Sequence, residues 1–244
     1  MANVNHEGKE WATACLVVIG NELLSGKVTD VNVPFLTQRL FGLGIEVLSV
    51  HMLPDHHQSL VTAVRECSAK ADYVFTTGGL GPTHDDVTLK AVAEAMNRKF
   101  VHSPSLEALL EKLYNLPEGP QRTYFATIPE GAELIHPPES DYPQMVVGNV
   151  YLFPGVPEVV RKKFELIVDR FVSCPIFTAE LVIAKSELSI VGALNRIVYS
   201  CPDVKIGSYP GHTEQGAENV RLTFDSRNEQ SLKTAVDMAH KELE

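Results

Sequence analysis

The stretch Val74-Phe75-Thr76-Thr77-Gly78-Gly79-Leu80-Gly81-Pro82-Thr83-His84-Asp85-Asp86-Val87-Thr88 governs the reading of the whole chain. An apolar strand end runs into a turn holding three glycines, and a helical spacing (Leu89, Val92, Ala93, Met96) follows at once. Strand, glycine loop and helix start, in that order, aim unpaired backbone N–H groups at an anion, because glycine admits positive φ and close backbone approach. Pro82 fixes the exit from the turn, and Thr83 with Asp86 reads as a capping-box variant. Asp85 and Asp86, however, put two negative charges where a phosphate would sit. A Mg²⁺-type cation between carboxylates and phosphate resolves that conflict. Helix capping and dipole complementation without any ligand is the alternative.

Upstream, Ala12 to Ile19 is a continuous apolar run, the pattern of a strand buried on both faces of a parallel sheet. It stops at Gly20-Asn21-Glu22, and a second loop with Ser25-Gly26 follows. Asn32 to Leu43 carries helical spacing and ends at Gly44, a typical helix-terminating residue. Ile45 to Leu53 reads as a second strand, His56 to Ala71 as a helix, and Tyr73 to Thr77 as the strand that delivers the central loop. This β-α-β-α-β-α alternation with short connections predicts an α/β domain: an open, mostly parallel sheet with helices on both faces.

Downstream, Asn97 to Pro120 reads as helical, broken at Ser103-Pro104 and ended by Pro117. Glu133 to Pro143 reads as irregular, Val146 to Phe153 as one further apolar strand, and Pro157 to Val172 as a helix opened by proline. A boundary is expected at Ser173-Cys174-Pro175. Beyond it, strand Phe177–Ala184, helix Glu187–Tyr199, strands Lys205–Tyr209 and Asn219–Asp225, and helix Glu229–Leu243 form a β-α-β-β-α run, a small α+β domain. The expected organisation is a disordered lead over residues 1–10, a first domain over 11–174 and a second over 175–244. Packing or dimerisation is the role expected of the second, which has no GXXG loop.

A formal charge of −10 argues against a general nucleic-acid or anionic-membrane partner, because phosphate backbones require clustered Lys and Arg. No apolar run reaches the ~20 residues of a membrane span, and the polar start from Met1 to Trp11 has no signal-peptide core. Cys15, Cys67, Cys174 and Cys201 lie far apart without a CxxC pair, so neither zinc nor a disulfide framework is expected. The cytosol, hence a cytoplasmic protein, is the default expectation, and a homo-oligomer is the expected assembly.

The run Thr76 to Thr88 resembles the signature of the molybdopterin-binding-like domain shared by MoaB/MogA and CinA proteins. It is closest to the version fused to eukaryotic FAD synthases, where His precedes the paired aspartates. Two more segments agree in order: Ile19 to Gly26 followed by Asp30 and Asn32, and the Pro-Gly loop Tyr151 to Glu158. The tail resembles the KH-like domain that follows in CinA proteins and FAD synthases. His136-Pro137-Pro138-Glu139-Ser140 departs from the Asn-Gly and Ala-Pro-Gly pattern usual in CinA proteins, which puts a bacterial ligand contact there in doubt.

The resemblance implies a pterin or nucleotide pocket made by three loops at strand ends, where open α/β sheets bind ligands. Gly20, Asn21, Ser25, Thr76, Thr77, Gly78, Gly79, Gly81, Thr83, Pro154 and Gly155 are the expected substrate- or phosphate-binding residues. Asp86 is the first metal-binding and catalytic candidate and Asp85 the second; Glu22 is expected to complete the metal site or orient water, or else to be a solvated turn residue. Asp30 and Asn32 are read as caps of the next helix, with a part in the pocket as the alternative. His84, Lys27 and Lys90 are weaker candidates to contact a phosphate, and His56 and His57 are expected to be exposed. The function implied is a pyrophosphatase dependent on a divalent metal of the Mg or Co type, acting on a dinucleotide such as FAD or ADP-ribose. A molybdopterin-binding or regulatory domain of a FAD synthase, without its own catalysis, is the alternative. By the resemblance, FAD synthesis itself belongs to a separate PAPS-reductase-like domain, so this chain is expected not to make FAD from FMN and ATP.

Overall fold

The computed structural model describes residues 11–243 except 82, 84, 116, 137–141, 172, 173, 213–215 and 217. The expectations for residues 1–10, for Pro82 and His84, and for the loop from Pro137 to Ser140 lie outside the described residues. Contacts divide the chain into residues 1–173 and 174–244.

The first unit runs β1 (Thr13–Ile19), α1 (Asn21–Leu24), α2 (Asn32–Gly42), β2 (Glu46–Leu53), α3 (His57–Lys70), β3 (Tyr73–Thr77) and α4 (Thr88–Ala95). It continues with β4 (Phe100–His102), α5 (Pro104–Tyr114), α6 (Pro120–Phe125), β5 (Thr127–Pro129) and β6 (Glu133–Ile135). The unit closes with β7 (Gln144–Val147), β8 (Val150–Phe153) and α7 (Pro157–Ile167), followed by a 3₁₀ turn Val168–Arg170. The main sheet has the order β2-β1-β3-β8-β7-β6. The first four strands are parallel, and β7 and β6 are antiparallel additions.

Every residue of β1 is buried because both sheet faces are covered. Cys15, Val17 and Ile19 pack with Leu60, Val61 and Val64 of α3 and with Ala91 and Val92 of α4. Their neighbours Ala14 and Leu16 point to the other face and meet Leu36 and Leu40 of α2 and Val160, Phe164 and Ile167 of α7. That second core is aromatic: Phe75 stacks on Tyr151 at 5.5 Å, and Phe164 stacks on Phe171 at 5.3 Å. Truncating a ring such as Phe75, which is fully buried, would cost about 3–5 kcal/mol.

Three downstream readings are corrected. The stretch Asn97 to Pro120 is not one broken helix. Asn97 takes a left-handed φ of 52° and ends α4, and β4 then pairs antiparallel with β5. Ser103 and Pro104 begin a helix rather than break one, since the Ser103 hydroxyl accepts the Leu106 N–H at 3.3 Å. Val146 to Phe153 is a hairpin, not one strand: Gly148 (φ 62°) and Asn149 form a two-residue turn that sets Val147 opposite Val150. Glu133 to Ile135 is ordered as an edge strand on β7, because pairing with a neighbour, not its own periodicity, makes it a strand.

The second unit runs β9 (Phe177–Ile183), α8 (Glu187–Ser200), β10 (Val204–His212), β11 (Glu218–Ser226) and α9 (Glu229–Leu243). Its antiparallel sheet has the order β10-β11-β9. It has its own core, in which Ile190 and Ile197 of α8 and Ala235 and Ala239 of α9 pack on Leu222 and Phe224 of β11. Among the described residues, no helix is long and apolar enough to cross a membrane.

Candidate functional site

The chain runs from β1 to β2 on one side and then crosses to β3 on the other side of β1. The carboxyl ends of β1 and β3 therefore diverge at a topological switch point, the place where open α/β sheets bind ligands. A cleft of about 430 Å³ opens there, lined by the loops that leave β1, β2, β3 and β8.

Two glycines shape its floor. Gly78 (φ 98°) and Gly79 (φ 64°) are both left-handed, and a Cβ on Gly78 would collide with the Ile19 carbonyl oxygen. Thr88, buried at the start of α4, holds this shape: its hydroxyl donates to the Gly78 carbonyl at 2.9 Å and its N–H to the Gly79 carbonyl at 3.1 Å. The β8 loop comes close enough that a Cβ on Gly155 would lie 3.5 Å from the Gly78 Cα. Asn32, itself buried, fastens this loop by donating its side-chain amide to the Gly155 carbonyl at 2.9 Å.

Five carboxylates line the cleft: Glu22, Asp30, Asp55, Asp85 and Asp86. Asp86 Oδ2 accepts the Thr83 N–H at 2.8 Å and the Thr83 hydroxyl through a short bond. The capping-box reading is thus corrected. Only the half in which Asp86 receives the Thr83 N–H exists, and the Thr83 hydroxyl donates instead of accepting. The helix starts later, at Thr88, with Val87 before it and no side-chain cap. Asp86 closes a turn in the loop and leaves the helix end alone. Asp30 receives the N–H groups of Asn32 (3.3 Å) and Val33 (2.9 Å) at the start of α2, a capping role for its carboxylate. Asp55 Oδ2 accepts the Asn21 N–H at 2.8 Å.

Gly20, Glu22, Thr77, Gly78, Gly79, Gly81, Asp85, Asp86, Pro154 and Gly155 all line the cleft, whereas Asn21, Ser25, Thr76 and Thr83 do not. Asn21 meets Asp55 through its backbone, and the Ser25 hydroxyl donates to the Glu22 carbonyl at 3.2 Å. Thr83 serves Asp86, and Thr76 is fully buried in the sheet. Glu22 sits in the single turn of α1, not in an open glycine turn. Thr77 is 2% exposed, lines the cleft, and its hydroxyl has no hydrogen-bond partner among the described residues. A buried hydroxyl in that condition is costly unless a ligand satisfies it.

Lys27 and Lys90 are not among the lining residues. His56 caps α3 by accepting the Ser59 N–H, and His57 pairs with Glu94 at 2.7 Å, so both serve the helix surface. One lining residue, Asp55, and one residue that holds a lining loop from outside, Tyr124, escaped the sequence reading. Asp55 follows an edge strand with no motif around it. Tyr124 of α6 donates its hydroxyl to the Gly81 carbonyl at 3.0 Å, and burial followed by the charge of Asp86 pushes its phenol up. No periodicity links position 124 to position 81.

Among the described residues, no group of three His, Cys, Asp or Glu side chains converges to hold a metal ion. The donor set of the cleft is nevertheless all oxygen and strongly anionic, which suits a hard divalent cation that takes part of its coordination from a ligand phosphate and water.

Residues 15–173 match the family described as "Probable molybdopterin binding domain", and residues 175–244 match "FAD synthase, middle domain". A protein of Archaeoglobus fulgidus is 36% identical over 221 residues, 91% of this chain and 93% of its own length. A "CinA-like protein" of Thermotoga neapolitana is 30% identical over 92% of this chain and 57% of its own length. A "Probable FAD synthase" of Caenorhabditis briggsae is 28% identical over 95% of this chain, which spans 49% of that protein. Among solved structures, the CinA protein of unknown function from Thermoplasma acidophilum superimposes with a TM-score of 0.61 at 27% identity. That match covers 66% of this chain and 99% of the other.

Proposed function

The chain belongs to the molybdopterin-binding-domain family, with a FAD synthase middle domain behind it, and from that premise we propose that it is a metal-dependent pyrophosphatase acting on a dinucleotide such as FAD or ADP-ribose. The observation that carries this reading is the cleft lining: five carboxylates, no lysine or arginine among the described lining residues, and beside them a glycine loop with an unpartnered buried threonine hydroxyl. Carboxylates alone repel a pyrophosphate, while the loop is built to receive one. A cation shared by both reconciles the two halves of the site.

Asp86 and Asp85 are the residues that would hold a divalent ion of the Mg or Co type, and Glu22 lines the same cleft. When bound, such an ion clamps phosphate oxygens, offsets developing charge and lowers the pKa of water. The chain's own contributions are separate. Thr77 and the backbone of Gly78, Gly79 and Gly81 bind phosphate oxygens, Thr83 fixes the orientation of Asp86, and Glu22 orients the attacking water. Water adds to one phosphorus, the P–O–P bridge breaks, and the bridging oxygen leaves with the second phosphate. FAD then yields FMN and AMP, and ADP-ribose yields AMP and ribose 5-phosphate.

The second reading is a pterin-binding or regulatory domain of a FAD synthase without catalysis. The observation that favours it is the lack of three converging metal ligands among the described residues. A homo-oligomer belongs to either reading, supported by the exposed Leu48, Val50 and Met52 along the edge strand β2. The deciding experiment follows AMP release from FAD and from ADP-ribose with Mg²⁺, Mn²⁺ or Co²⁺ and with EDTA. Metal-dependent release supports the pyrophosphatase; no release with any metal, alongside tight pterin binding, supports the second reading.

A further inference from the structure

Five glycines line the cleft, and the carbonyl oxygen of each is bonded back into the chain. Gly20 accepts from the N–H of Leu23 at 3.2 Å, and Gly79 from the N–H of Thr88 at 3.1 Å. Gly78 accepts from the Thr88 hydroxyl at 2.9 Å, Gly81 from the Tyr124 hydroxyl at 3.0 Å, and Gly155 from the Asn32 side-chain amide at 2.9 Å. The donors come from four separate helices, α1, α4, α6 and α2. The N–H groups of Gly79, Leu80, Gly81 and Gly155, by contrast, bond to no acceptor among the described residues. Next to them stands the unpartnered Thr77 hydroxyl, 98% removed from solvent by its 2% exposure.

A glycine loop carries as many acceptors as donors, so by itself it has no preference for an anion. Binding the carbonyls inward removes the acceptors and leaves a surface of donors. We propose that Thr88, Tyr124 and Asn32 are positioning residues that bias the cleft's glycine loops toward the phosphate groups of its ligand. The proposal rests on the reading above only in that the ligand carries phosphate; it does not require hydrolysis. Tyr124 is the most telling of the three, because its hydroxyl lies outside every loop motif and its contact to the loop is to the Gly81 carbonyl.

The test uses the full chain and isothermal titration with ADP-ribose and with FAD in Mg²⁺, with thermal melting as the control for folding. Tyr124→Phe removes only the hydroxyl and is expected to weaken both ligands roughly 5- to 10-fold, the effect of one lost hydrogen bond, while the melting midpoint holds. Thr88→Val should act likewise, and Thr88→Ser, which keeps the hydroxyl, should restore affinity. If Thr88→Val does not fold, Tyr124→Phe and Thr88→Ser decide. Unchanged affinity in Tyr124→Phe overturns the proposal, as does a wild-type chain that binds neither probe. So does a loss of affinity that only tracks a lower midpoint and is not repaired by Thr88→Ser. Absence of hydrolysis with these binding effects intact would sink the pyrophosphatase reading alone.

Discussion

The side-chain amide of Asn32 donates to the carbonyl of Gly155 at 2.9 Å across 123 positions of sequence. It ties the loop after β8 to the first turn of α2, whose backbone is held in turn by Asp30. One buried side chain thus sets the spacing of two strand-end loops. Asn32→Leu should leave the Gly155 carbonyl without its donor and lower stability by about 1–3 kcal/mol. Asn32→Asp should cost at least as much, because an acceptor then faces the carbonyl. Urea midpoints equal to wild type in both variants would refute this tether.

Asp86→Asn keeps an acceptor for the Thr83 N–H and removes the charge, so stability should change by no more than about 1 kcal/mol. Hydrolysis of FAD should nevertheless fall roughly 100-fold or more, the scale of a lost electrostatic contact in a catalytic site. Asp85→Asn should cost less, and EDTA should abolish the wild-type rate. AMP release measured by chromatography settles the matter; full activity in Asp86→Asn would exclude a catalytic role for that carboxylate.

Lys163 is buried on α7, donates to the carbonyls of Tyr142 (2.7 Å) and Pro143 (3.2 Å), and burial pushes its ammonium down to about 8. Below that pH the folded and unfolded chains both hold the proton. Between about 8 and the ordinary value of 10.5, the unfolded chain binds it and the folded chain does not, so stability should rise with pH across this window. The difference between wild type and Lys163→Met, followed by urea unfolding at successive pH values, should carry that slope. A flat difference would show that the folded-state ammonium is not destabilised.

Each unit has a core closed on itself, with Ile197, Leu222, Phe224 and Ala239 entirely buried in the second. Limited proteolysis should therefore cut near residue 174, and residues 1–173 expressed alone should melt cooperatively. An unfolded 1–173 fragment beside a stable full chain would mean that the two units depend on one another to fold.

Some of this was legible before any coordinates. β1, β3 and the loop between Thr77 and Thr88 announce themselves because a doubly covered parallel strand needs an unbroken apolar run and a left-handed turn needs glycine. The β-α-β-β-α order of the second unit follows from the same local signals. The misread segments are those whose structure depends on a neighbour: β4 and β6 are three residues long, and pairing with β5 and β7 makes them strands. The hairpin at Gly148-Asn149 is marked in the sequence by that Gly-Asn pair, a two-residue turn signal, but its arms are so short and so evenly apolar that they read as one strand.

The sequence by itself determined which residue types stand at the strand ends, and with them the glycine turn, the paired aspartates and the family resemblance. It could not say that Asp55 belongs to the same cleft, that Asn32 holds the Gly155 carbonyl, or that Tyr124 holds the Gly81 carbonyl. Those facts were decided by tertiary structure alone. Turns and periodicities are short-range properties of the backbone, whereas a hydrogen bond between residues far apart in sequence depends on distance in space, which only the packing of the helices on the sheet and of α6 on α5 and β5 establishes.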